Sequence, residues 1–171
     1  LRAVLAHAEA RGEWAEVVQA LTLLEAAAAT PEEKAAHLTR IGQILEVHRD
    51  DPHGAVDYYE HAVALCPDHL DAARPLAVRH LRAERWWQAA PLLERVLAAT
   101  PDAAVRDRRD LHGQIAHCLE ACGDDAGAIA QHRGAYALDS THRPALEALA
   151  DLYVRAGRWD EAFKIGQTLL V

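Results

Sequence analysis

The chain has 171 residues, 51% of them apolar and 26% charged, with a formal charge of −8 and a pI near 5.7. That is enough apolar material for one sizeable folded domain, and the net acidity argues against a sequence-independent grip on nucleic acid, which needs a surplus of Lys and Arg on one face. No apolar run approaches the length of a membrane span, and residues 1–11 lack the basic-then-apolar layout of a secretory signal.

In chain order, apolar residues recurring at three and four predict helices over 1–11 and 13–29, with the turn at Gly12. The next pair spans 31–48 and 52–65. Thr30-Pro31-Glu32-Glu33 reads there as an N-cap, a proline at the first helical position and a capping box, and Asp51-Pro52 opens the second member. A third pair is expected over 69–83 and 86–99. Thr100-Pro101-Asp102 then nearly repeats the earlier opening, predicting 102–122, with 125–138 after Gly123. The last pair covers 142–156 and 159–170, turning at Gly157. Alternation is rare and aromatic residues make up only 5%, so strands are not expected.

These pairs repeat. Trp14, Trp86 and Trp159 each follow a short turn and stand 72 and 73 residues apart. Val17, Ala55, Ala89, Ala128 and Ala162 recur at 38, 34, 39 and 34. The unit is therefore about 34 residues, a helical hairpin lengthened in every second copy. The fifth copy carries Leu149-Ala150, Tyr153, Gly157, Trp159, Ala162 and Leu169. The second carries Ile41-Gly42, Leu45, Ala55, Tyr59, Ala62 and Pro67, and the third Leu76-Ala77, Trp86, Ala89, Leu93, Val96 and Pro101.

In these positions the chain resembles the tetratricopeptide repeat family over nearly its whole length. Pentatricopeptide and other helical-hairpin repeats fit the acidic charge and the prolines after the second helices less well. The resemblance implies an all-α, right-handed α-solenoid of stacked antiparallel helical hairpins, one domain with repeats near 1–29, 31–66, 69–100, 102–139 and 142–171. With no methionine even at position 1, the chain is expected to be an excerpt of a longer protein. Departures are Leu5 where a small residue is expected, His132 and Gly166 where large ones are expected, and Pro75 and Pro91 inside helices. Small residues at Gly42, Ala77, Ala116 and Ala150 are expected to let paired helices approach.

The family works mostly as scaffolds and adaptors, which implies a protein-protein interaction scaffold binding a partner segment along a concave groove lined by first helices. Placement on those helices gives Thr39, Gln43, Arg74, Val78, Arg82, Gln114, His117 and Asp151 as partner-binding candidates, with Glu46, Glu120, Glu147 and Arg155 near them. Arg74, Val78 and Arg82 are spaced by four, so two guanidinium forks flank one apolar contact, a pattern suited to a peptide carboxylate; both arginines could equally solvate the helix or pair with Glu46 and Glu120. Some family members clamp a C-terminal carboxylate with Lys and Asn at set places. Here Thr39 and Gln43, Arg74 and Val78, and Gly113 and His117 stand there, so that clamp is not expected. The alternatives are a self-assembling structural spacer and an accessory or sensor domain of a larger enzyme. A homo-oligomer is compatible with the first.

Catalysis by these residues is not expected, since no phosphate-binding loop, nucleophile elbow or metalloprotease helix occurs. Cys66, Cys118 and Cys122 do not form a disulfide framework, which favours a reducing compartment such as the cytoplasm. Cys118 and Cys122 lie at i and i+4, but a structural site wants four ligands and no second cluster with ligand spacing supplies the other two, so no metal or other cofactor is expected and both read as small apolar residues facing a neighbouring helix. Trp14 and Trp86-Trp87 read as wedges at hairpin turns. Trp87, displaced by one, is a candidate exposed anchor on the outer face.

Overall fold

The computed structural model describes residues 2–170, and among them there are ten helices and no strand. They are α1 (Arg2–Arg11), α2 (Trp14–Ala27), α3 (Pro31–His48), α4 (Pro52–Leu65), α5 (Leu70–Arg82), α6 (Trp86–Ala99), α7 (Val105–Ala121), α8 (Asp125–Leu138), α9 (Arg143–Arg155) and α10 (Trp159–Leu169). The chain divides into two compact units at Arg79/His80, within α5.

The turns and caps follow the punctuation of the sequence with one exception. Thr30 caps α3 by accepting the Glu33 N–H at 3.2 Å, while the Glu33 carboxylate reaches back to the Ala29 N–H at 3.1 Å. Asp51 caps α4 through the Gly54 N–H at 2.8 Å, and Asp124 caps α8 through the Gly127 N–H at 2.9 Å. The exception is Thr100-Pro101-Asp102. Ala103 stands where Glu33 stands in the earlier motif, so no carboxylate reaches back to close a box. The Thr100 hydroxyl instead bonds the Val96 carbonyl at 2.6 Å, a turn forms from Pro101 to Ala104, and α7 begins three residues later than expected, at Val105.

In the first unit α1 packs on α2, α2 on α3 and α3 on α4. Ala8, Val17, Leu21, Ile41 and Ile44 form a buried cluster flanked by Leu5, Trp14, Val18, Leu45 and Tyr58. Leu5 is thus accommodated as a partly buried member of that cluster. In the second unit α6 packs on α7, α7 on α8, α8 on α9 and α9 on α10, around Ala128, Ile129, Leu149, Leu152, Tyr153 and Ala162. Each fully buried Leu or Ile in these clusters contributes about 1.5–3 kcal/mol over exposure. Gly42 earns its place: a Cβ there would stand 2.6 Å from the Tyr59 ring, which is itself fully buried. Helices α5 and α6 run through Pro75 and Pro91 without interruption.

An ion pair recurs between successive first helices. Glu9 of α1 binds Arg40 of α3 at 2.6 Å, Glu46 of α3 binds Arg79 of α5, and Glu120 of α7 binds Arg155 of α9 at 3.1 Å. Glu46 and Glu120 therefore pair with Arg79 and Arg155, which leaves solvation of the helix or contact with a partner, of the alternatives the sequence offered, for Arg74 and Arg82.

Candidate partner-binding hollow

Helix α7 places Arg109, Asp110, Gly113, Gln114 and His117 along one stripe, since steps of three and four keep side chains on the same face. Trp86, the first residue of α6, meets that stripe edge-on: its ring centroid is 4.9 Å from that of His117, at 81°. Together with Leu81 and His142, these residues line an open hollow of about 460 Å³. The floor is apolar, from Trp86, Leu81 and Gly113, beside which a Cβ would meet nothing within 4 Å.

One rim is held rigidly. Arg109 donates to Asp110 at 2.7 Å and to Asp139 at 3.0 Å, and these hydrogen bonds, Asp110 first, raise its pKa above the ordinary arginine value. Asp139 also accepts from the Thr141 N–H at 3.1 Å and hydroxyl at 2.8 Å. The Thr141 hydrogen bonds and the Arg109 guanidinium hold its carboxyl below the usual range.

The structure brings together only some of the residues chosen from sequence. Gln114 and His117 share the hollow, both exposed. Gln43 is exposed in a separate depression of about 220 Å³ with Trp14, Arg40 and His48. Asp151 is exposed in another of about 470 Å³ with Glu120 and Arg155. Arg74, Val78 and Arg82 are exposed on α5. Thr39 is a correction: it is only 3% exposed, with its hydroxyl turned onto the Ala35 carbonyl at 2.7 Å, so it offers a partner nothing. Arg109, Asp110, Leu81 and His142 were missed. For the first two the signal was present, because the stripe through Gln114 and His117 extends back two turns along α7.

The cysteines do not behave alike. Cys118 is fully buried, and burial, with the Cys122 thiol beside it, pushes its pKa up to about 11, so it packs as a protonated apolar group. Cys122 caps α7 and is exposed, against the expectation that both face a neighbouring helix. No group of three or more His, Cys, Asp or Glu lies close enough to hold a metal ion among the described residues. Trp14 lies stacked on His48, centroids 3.6 Å apart, and Trp86 is half-buried, both as wedges. Trp87 is 72% exposed, as its displaced position suggested, but so is Trp159, at 66%.

Ten helices and no strand among the described residues, with α1 on α2, α3 on α4, α7 on α8 and α9 on α10 packed as hairpins and left-handed glycines in three of the turns, define an all-α tetratricopeptide-like helical repeat protein. Residues 145–170 match the tetratricopeptide repeat family model. Solved structures of MamA share the fold. MamA RS-1 ArsTM double mutant aligns with a TM-score of 0.60 at 21% identity, covering 99% of this chain and 90% of that one. MamA AMB-1 gives 0.62 at 22%, covering 98% and 86%, and MamA MSR-1 gives 0.59 at 23%, covering 98% and 91%. A comparison with curated protein sequences finds no match. Among the described residues no helix is long and apolar enough to cross a membrane.

Proposed function

We propose that the chain is a protein-interaction scaffold that holds a segment of a partner protein against its first helices, with the hollow of the second unit as the anchor point. The observation that carries this reading is the hollow itself. Its volume of about 460 Å³ suits one large apolar side chain with flanking backbone, and its polar groups stand at the rim while its floor is apolar. The Gln114 amide offers both a donor and an acceptor to an extended backbone, and Trp86 with His117 provides an aromatic wall. Gln43, Arg74, Val78, Arg82 and Asp151 extend the same role to the other first helices, as secondary contacts.

Selection of short peptides from a random display library against the immobilised chain tests this. Peptides enriched in one aromatic or large aliphatic residue are expected. Their affinity should fall at least about tenfold, or 1.4 kcal/mol, on His117→Glu or Gln114→Arg with the helical circular dichroism unchanged. Equal binding to both variants and to the parent would place recognition on another surface.

A further inference from the structure

We propose that the hollow on α7 selects a basic partner segment, an extended stretch running along α7 in which the apolar side chain seated on the floor is accompanied, two residues away, by a Lys or Arg that pairs with Asp110. The proposal rests on the reading of that hollow as the anchor point and adds the charge and spacing of its occupant.

The lining holds one Arg and one Asp, and they are not equally available to a partner. The Arg109 guanidinium is engaged on both sides. Its Nε and Nη2 donate to Asp110 Oδ1 at 3.0 and 2.7 Å, and its Nη1 donates to Asp139 Oδ2 at 3.0 Å. One cation is thus set between two carboxylates, with 21% of its side-chain surface left. A carboxylate arriving from a partner would have to displace one of them and would still meet the charge of the other. Asp139 is engaged as well, because its other oxygen accepts from the Thr141 N–H and hydroxyl. Asp110 is the reverse case. Both of its bonds to Arg109 fall on Oδ1, so the lone pairs of Oδ2 stay open, and its side chain is 51% exposed at the rim. The surplus negative charge of this one-to-two arrangement therefore faces outward at Asp110. A cation there gains a charge-assisted hydrogen bond without breaking one.

The spacing follows from the two backbones. Asp110 stands three and four residues before Gly113 and Gln114 on α7, which is about 4.5–6 Å along the helix axis. An extended peptide advances about 6.6–6.8 Å over two residues and returns its side chains to the same face. With the anchor over Gly113 and against Trp86, the side chain two residues along points toward Asp110 and not into the apolar floor. A Lys or Arg suits that path, since its methylene stem lies along the apolar edge while its charged end reaches the carboxylate.

Peptide selection from the same kind of display library tests this when it is read for charge and spacing, with the enriched sequences then synthesised with an amidated C-terminus. Enrichment of Lys or Arg two residues from the apolar anchor is expected. Asp110→Asn, which keeps an oxygen for Arg109, should weaken such a peptide about three- to fivefold at low salt and less at high salt, and replacing the peptide's basic residue by Gln should weaken it as much. The two losses should not add: the Gln peptide is expected to bind Asp110→Asn and the parent alike, which a double-mutant cycle measures. Gly113→Phe, whose side chain starts into open space and covers the floor, separates this inference from the reading beneath it. Peptides that lose binding to Gly113→Phe but carry no basic residue at that spacing, carry an acidic one there, or bind Asp110→Asn as tightly as the parent would overturn the inference and keep the hollow as the anchor point. Peptides indifferent to Gly113→Phe would remove both.

Discussion

The two units build the same polar knot from different parts. In the first, the buried Tyr59 phenol donates to one Glu46 oxygen at 2.9 Å and Arg79 binds the other. In the second, the His132 Nε2 lies 3.0 Å from one Glu120 oxygen and Arg155 lies 3.1 Å from the other, with a further contact to Asp125 at 3.2 Å. Each acid thus ties its hairpin to the next first helix. The knots differ in depth: the Arg79 side chain keeps 20% of its surface and that of Arg155 keeps 52%. Burial and the Glu46 carboxylate also push the Tyr59 phenol well above its ordinary pKa, so it stays a protonated donor at neutral pH. The same connectivity is therefore a deep structural tie in one unit and a wetter one in the other.

The largest expected effect comes from removing the acid. Glu46→Ala leaves the Tyr59 hydroxyl without its acceptor and Arg79 without its counter-charge, in a place where the Arg79 Nε already lacks a partner. A loss of about 3 kcal/mol is expected from breaking such a half-buried network. Glu120→Ala should cost less, about 1–2 kcal/mol, because Arg155 can turn to Asp125 and to water, so that the main loss is the single hydrogen bond to the buried His132 ring. Urea denaturation of both variants checks the ratio, and equal losses would show that depth does not separate the two knots.

A smaller effect sharpens the same contrast. The pair Gly42 and Tyr59 in the first unit corresponds to Ala116 and His132 in the second, a small residue with a large ring against a slightly larger residue with a smaller ring. Gly42→Ala is expected to cost about 2 kcal/mol, because its new methyl would stand 2.6 Å from the Tyr59 ring and neither is free to move away. Tyr59→His alone should cost a similar amount, by emptying core volume. The double variant should be at least about 1 kcal/mol better than the sum of the two, which a double-mutant cycle in urea measures.

Helix positions were legible in the sequence because the signals were local: a proline after a cap, a glycine in a turn, apolar residues at three and four. The exceptions are places where one letter carries two physical options. Thr100-Pro101 looks like Thr30-Pro31, but only Glu33 completes the box, so the former ends a helix and the latter starts one. Thr39 falls on the expected groove stripe, yet a threonine can satisfy its hydroxyl on its own helix and be buried at little cost. Gln114 and His117 were found because they are neighbours on one helix. The Arg109–Asp139 pair that stiffens their hollow joins residues 30 apart, and nothing in the spacing announces it. Trp159 shares the repeat position of Trp14 and Trp86, whose rings lie against His48 and His117 of first helices, yet it is 66% exposed, so the position alone does not decide burial.

The turns give the smallest and most local contrast. Three hairpins turn on glycine at φ 72°, 82° and 69°, whereas Asp50 at 49° and Glu84 at 55° hold the left-handed region with a side chain attached. Left-handed backbone costs a residue with a Cβ about 1–2 kcal/mol, and glycine gives back part of that gain in chain entropy. Asp tolerates the conformation better than Glu because its short side chain bonds locally. Glu84→Gly should therefore stabilise the chain by about 0.5–1 kcal/mol, and Asp50→Gly by a few tenths at most. Thermal unfolding of the two variants decides it: a rise for Glu84→Gly exceeding that for Asp50→Gly is expected, and a fall for Glu84→Gly would mean that its side chain supplies more than the backbone strain removes.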